Sequence, residues 1–145
     1  MARGDVTIFQ EAIAYMIDGN WASTDNIKCG IVTNAVVPTA ADAVPEFGDY
    51  TEVTADGTYT AGGTSLGTLA ACVTEAAGTM TFDSATNPTW AQDASSGATA
   101  YYGIIYNETN GSDLCIAFVD LDGPVDMTAG DLTITWSGTG IFTIS

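Results

Sequence analysis

Two neighbouring apolar runs of strand period limit what this chain can fold into more than any other feature. The first, "ATAYYGIIYN", sets Ala100, Tyr102, Ile104 and Tyr106 on one side of an extended backbone and Tyr101 and Ile105 on the other. The second, "DLCIAFVDL", is apolar almost without a break, the pattern of a strand inside a sheet rather than at its edge. Between them "NETNGSD" holds Asn110-Gly111, a pair that tolerates the positive φ of a tight hairpin turn. The rest of the chain after Leu66 reads the same way. "LGTLAACVTE" and "TMTFD" are short strands joined around Gly78, and a loop through Asn87-Pro88 leads to Trp90. "DLTITW" and "IFTIS" form a last hairpin around residues 137–140.

The N-terminal part follows a different period. Phe9, Ala12, Ile13, Met16 and Ile17 recur at the spacing of an amphipathic helix over residues 7–18. Thr7 and Gln10 match a capping box, and Gly19 supplies the left-handed stop. After a polar turn, "NIKCGIVTN" reads as a buried strand with Ile27, Cys29 and Ile31 on one face, ended by Pro38. Residues 38–65 form a long arm with little periodicity and with Asp42, Glu46, Asp49, Glu52 and Asp56 along it. Connections of that length are usually functional or lie over a neighbouring surface. The expected architecture is one domain over residues 1–145, mainly β. It is an antiparallel β-sandwich with one N-terminal amphipathic α-helix packed on it, the arm at 38–65 and a β-rich body at 66–145.

Charge narrows the function. Arg3 and Lys28 are the only basic residues against 18 Asp and Glu, a formal net charge of −16. Such a field repels nucleic acid and anionic membrane surfaces, so neither is an expected partner. No apolar run approaches the roughly 20 residues of a membrane span, and "MARGDVTIFQ" lacks a signal peptide's apolar core. A soluble chain made in a cytoplasm is expected. The glycine-rich "YTAGGTSLG" has no lysine near it to complete a phosphate loop, so its glycines read as a backbone device that feeds the strand near Leu66.

Catalytic and metal chemistry find few candidates. There is no histidine to activate a serine or cysteine, and Cys29, Cys72 and Cys115 read as buried free thiols. Close carboxylate pairs are inevitable among so many acids and do not by themselves mark a glycosidase. Asp120, Asp122 and Asp126 are spaced loosely like a calcium loop but lack the bidentate Glu at its twelfth position. Arg3-Gly4-Asp5 matches an adhesion tripeptide, yet Asp5 is better explained as an acid just ahead of a helix. No catalytic residue, cofactor or metal is expected.

The order of segments carries a resemblance. An N-terminal helix, "IKCGIVTNA", "FGDYTEV", "YTAGGTSLG", "TMTFDSATNPTW", "YYGIIYN", "IAFVDLDGPVDMTAGDLTITW" and a closing "GIFTI" together resemble small virion proteins of tailed bacteriophages. The likeness spans nearly the whole chain, while the long acidic segment is this chain's own. It implies a structural, non-enzymatic role in the virion, assembled in the host cytoplasm. The role expected is a capsid decoration (cement) protein, with the major capsid protein as partner and self-association into a trimer or another oligomer. Contact candidates are Phe47, Tyr50, Tyr59, Gly62 and Gly63, with Tyr50 and Tyr59 as exposed anchors. The arm either lies on a neighbour, adding a strand to its sheet, or folds back on its own domain. The alternative is a tail or fibre component binding another tail protein, or a host-surface glycan through Trp21, Trp90 or Trp136.

Overall fold

A computed structural model describes residues 2–18 and 21–145. The two apolar runs become β7 (Ala98–Asn107) and β8 (Cys115–Asp126), antiparallel partners. Asn107 holds their turn: its Oδ1 accepts from the Thr109 and Asn110 amides, both at 3.1 Å, and its Nδ2 donates to Asp25 at 2.8 Å. Register shifts along β7 move Ala100 to the face opposite Tyr102, Ile104 and Tyr106. β8 also pairs with β1 (Val6–Ile8), and β7 with β2 (Asn26–Val32), which in turn pairs with β3 (Thr64–Thr68). The central sheet therefore runs β1-β8-β7-β2-β3 and is antiparallel throughout.

Two smaller sheets complete the sandwich. One is β10-β5-β4, from Phe142–Ile144, Thr79–Phe82 and Val73–Ala76; the other pairs β6 (Thr89–Trp90) with β9 (Leu132–Thr133). Phe82, Trp90, Leu132, Ile134 and Ile141 from this layer pack with Ile27, Cys29, Ile31, Ile105 and Val119 of the central sheet. The other face of that sheet buries Val32, Ile104, Tyr106 and Phe118 under Phe9, Ala12, Phe47 and Tyr50. Both faces are dry. Among the described residues no helix is long and apolar enough to cross a membrane.

Three further sequence expectations change. The helix at 7–18 is shorter: α1 covers Ala12–Ile17, and Val6–Ile8 are a strand. Thr7 sits opposite Phe118 in the ladder instead of capping a helix, because pairing with β8 satisfies its backbone first. Asp5 accordingly precedes a strand, and its carboxylate accepts from the Ala2 amide at 2.7 Å. Gly19 lies outside the described residues. The run "LGTLAACVTE" is broken by a helical turn, α2 (Leu69–Cys72), where the Thr68 hydroxyl accepts from the Ala71 amide at 3.3 Å. That turn passes the chain from β3 in the central sheet to β4 in the second layer. The last two segments do not pair with each other: Ile134 N–H donates to Pro88 and Ile141 N–H to Phe82, so each joins a different sheet.

The arm folds back on its own domain. Its 3-10 turn (Phe47–Asp49) carries a reciprocal capping box from Glu46 and Asp49. Phe47 N–H donates to Asp113 O at 3.0 Å, Cys115 N–H to Pro45 O at 2.8 Å and Val53 N–H to Ile31 O at 3.1 Å. The Phe47 ring stacks on Tyr106 with centroids 4.3 Å apart. Gly30 leaves room for it, since a Cβ there would stand 2.5 Å from that ring. Gly30→Ala is thus expected to overpack this seam and cost about 1–3 kcal/mol in urea unfolding. Limited proteolysis within residues 38–59 should accelerate in the same variant.

Candidate interaction surfaces

The loop "YTAGGTSLG" is built as a turn. Gly62 and Gly63 have φ of +83° and +72°, and a Cβ on Gly63 would overlap the Cys29 carbonyl. Only glycine avoids both the left-handed strain and that clash. The loop does hold an anion, and it is the protein's own. The Glu52 carboxylate accepts from Gly62 N–H and from the Tyr59 hydroxyl, each at 2.6 Å. The Tyr106 hydroxyl donates to Gly62 O at 2.7 Å, tying the loop to β7.

Asp93 anchors the other side of this loop. It is 1% exposed. Its carboxylate accepts from Tyr59 N–H at 2.8 Å and Ser95 N–H at 2.9 Å. These backbone donors favour the charged form and hold its pKa down at about 2. Elsewhere burial dominates and raises the phenols and thiols. Tyr59 and Tyr50 are pushed well above the usual tyrosine range, first by desolvation and then by hydrogen bonds to Glu52 and Asp42. Cys29 and Cys115 are raised by burial, and Cys72 rises to about 11. All three are free thiols, protonated and shielded.

The structure distributes the expected contact residues unevenly. Phe47, Tyr50 and Tyr59 are 8%, 5% and 3% exposed, so the two tyrosines are not exposed anchors. Tyr50 donates to Asp42 at 2.8 Å within the arm, and Phe47 roofs Tyr106. Gly62 and Gly63 remain half-buried beside them. The three tryptophans form no open platform. Trp21 and Trp90 are buried, while half-buried Trp136 donates its ring N–H to Thr86 O at 2.9 Å. The Asp120, Asp122 and Asp126 group does not converge on an ion. Asp120 accepts from the Asp122 amide at 2.7 Å, and Asp126 accepts from the Thr128 amide at 2.9 Å. Among the described residues no group of three or more potential ligands is placed to hold a metal.

An apolar groove beside α1 went unnoticed in the sequence. About 460 Å³ in volume, it is lined by Met16, Ile17, Leu69, Val73 and Met80. A second hollow of about 320 Å³ shares Met16, Ile17 and Met80 and adds Ile13 and Ile144. Ile17 is 77% exposed, and acidic Glu75 stands at the second hollow. The signal was present in the helical stripe itself. Phe9 and Ala12 are consumed by the core, whereas Ile13, Met16 and Ile17 turn toward this groove. Comparison of the chain with protein-family models, curated proteins and solved structures yields no match.

Asp93 makes a pH test available. Its folded-state pKa lies below that of an unfolded aspartate, near 4, so the unfolded chain binds more protons in that interval and stability rises with pH. The contribution is complete above about pH 4 and is lost as pH falls through about 2. In thermal unfolding, the deficit of Asp93→Asn relative to the unaltered chain is expected to be largest near neutrality and to close toward pH 2. A deficit independent of pH would contradict this assignment.

Proposed function

We propose that this chain is a non-enzymatic structural protein of a tailed-phage virion, a capsid decoration protein that binds major capsid subunits through the groove beside α1. The observation that carries the reading is Ile17 at 77% exposure over a continuous apolar hollow, on a chain of net charge −16. A soluble acidic protein gains nothing from leaving such a surface wet, since apolar area returns about 25 cal/mol per Å² once covered. Like charge keeps free copies apart until a specific surface is offered. A shell repeats that surface many times, so a modest energy per contact reinforces the whole particle. The acids also have local work: Glu52, Asp93, Asp120 and Asp126 each accept from backbone amides. The tail or fibre alternative by glycan capture draws no support from Trp21 and Trp90, whose rings are in the core.

Binding to undecorated capsid shells of the parent phage tests this. Ile17→Asp changes a side chain that is mostly in water, so its unfolding free energy should move by no more than about 0.5 kcal/mol. Its affinity for shells is expected to fall at least tenfold, about 1.4 kcal/mol. Unaltered affinity in the variant, or no shell binding by the unaltered chain, would overturn the reading.

A further inference from the structure

A second surface lies on the open side of the sandwich, where two strand edges face one groove. Asp120 N–H donates to Asp5 O and Phe9 N–H to Ile116 O, each at 3.0 Å. With Thr7 opposite Phe118, the backbone groups of residues 5, 7 and 9 are turned to β8. Strand alternation then turns the N–H and C=O of Val6 and Ile8 the other way. β1 ends the sheet order, and among the described residues no strand pairs with that outer edge.

The opposing edge follows the same logic. Ile134 N–H donates to Pro88 O at 3.0 Å, in register with the pairs Thr89–Thr133 and Trp90–Leu132. Leu132 and Ile134 thus turn their backbone to β6, while that of Thr133 and Thr135 points away. Between the edges is a groove of about 280 Å³, with Gly4 to Val6 on one wall, Ile134 to Ser137 on the other, and Val119 and Ile141 deeper in. It continues into a hollow of about 140 Å³ that adds Arg3 and Asp120. None of these residues lines the groove at Ile17.

We propose that this slot takes an extended segment of a partner protein, which pairs with the outer edge of β1 and closes the side of the sandwich. The inference rests on the virion reading above, where the partner is a capsid subunit. Open amides and carbonyls recognise extended backbone, and the Val119 and Ile141 side favours small apolar residues at alternate positions. Charge selects the partner. Asp5 and Asp120 outnumber Arg3 at the slot, and the whole chain carries two cations against 18 acids, so a segment bearing Lys or Arg is attracted and a second copy is repelled. A decoration protein that joins neighbouring subunits requires two separate contacts. The slot and the Ile17 groove supply them.

Proline provides the test, because it removes one N–H and is tolerated where that N–H faces outward from an edge. Val6→Pro and Thr135→Pro should fold like the unaltered chain, whereas Thr7→Pro should not, its N–H being turned to β8. Binding of Val6→Pro to undecorated shells is expected to fall at least tenfold, and binding of the unaltered chain should weaken as salt is raised. Amide exchange at Val6 and Thr135 of the unaltered chain should slow on shell binding, which decides the matter even if a proline variant misfolds. Full shell binding by the folded variants, with exchange at both amides unchanged, would overturn the slot while leaving the Ile17 groove intact. Loss of self-association in Val6→Pro, with shell binding retained, would assign the slot to a second copy and overturn the choice of partner. If the unaltered chain fails to bind shells, the virion reading falls and this inference with it.

Discussion

The central sheet is apolar on both faces, and the rest of the molecule is arranged to cover it. Ile27, Ile31 and Ile105 face one way and Val32, Ile104 and Phe118 the other, all at 0–1% exposure. An antiparallel sheet commonly leaves one face to solvent; this one cannot. The first cover is ordinary, a layer of two small sheets. The second is the arm and the segment around Phe9, which have little regular structure of their own. Phe47 on Gly30 and Tyr106, and Phe9 on Phe118, replace what a third sheet would supply. A segment whose length suggested reach toward a neighbour is thus spent on this chain's own core.

Cations cannot hold such a fold together, and they do not. Lys28 and Glu108, 3.3 Å apart and partly exposed, form an ion pair of the kind worth little in water. The acids instead accept from backbone amides at turns, where an ionised acceptor makes a stronger bond than a neutral one. Glu52 at Gly62, Asp93 at Tyr59 and Asp25 at Ala22 fasten loops in which, among the described residues, these acids form no ion pair. The same acids that give the chain its net charge of −16 tie its loops down.

What could be read from the sequence divides along local and distant causes. β7 and β8 were legible because alternation is a local signal, as was the β4–β5 hairpin at Gly78. The β7–β8 connection, however, is no tight turn: it runs from Asn107 to Cys115, and its positive φ falls at Asp113 rather than at Asn110 or Gly111. The face shared by Ile27, Cys29 and Ile31 was legible for the same reason. The N-terminus was misread where a distant strand competed: Val6–Ile8 suit either a first helical turn or a ladder, and only β8 decides. Thr68 broke a run that looked continuous by capping a helical turn. Tyr50 and Tyr59 seemed exposed because they are buried only when the arm folds back on the domain, where they donate to Asp42 and Glu52 of the same arm. The groove at Ile17 was hidden in a helical stripe assigned wholly to the core.

The central claim is that the arm is interior structure and that partner contacts come from α1 and β1. Hydrogen exchange read amide by amide, on the free chain and again on decorated shells, tests it most directly. The account predicts slow exchange at Phe47, Val53 and Cys115 in both states, with new protection confined to the neighbourhoods of Ile17, Val6 and Thr135. An arm that exchanges freely in the isolated chain and becomes protected only on the shell would contradict it.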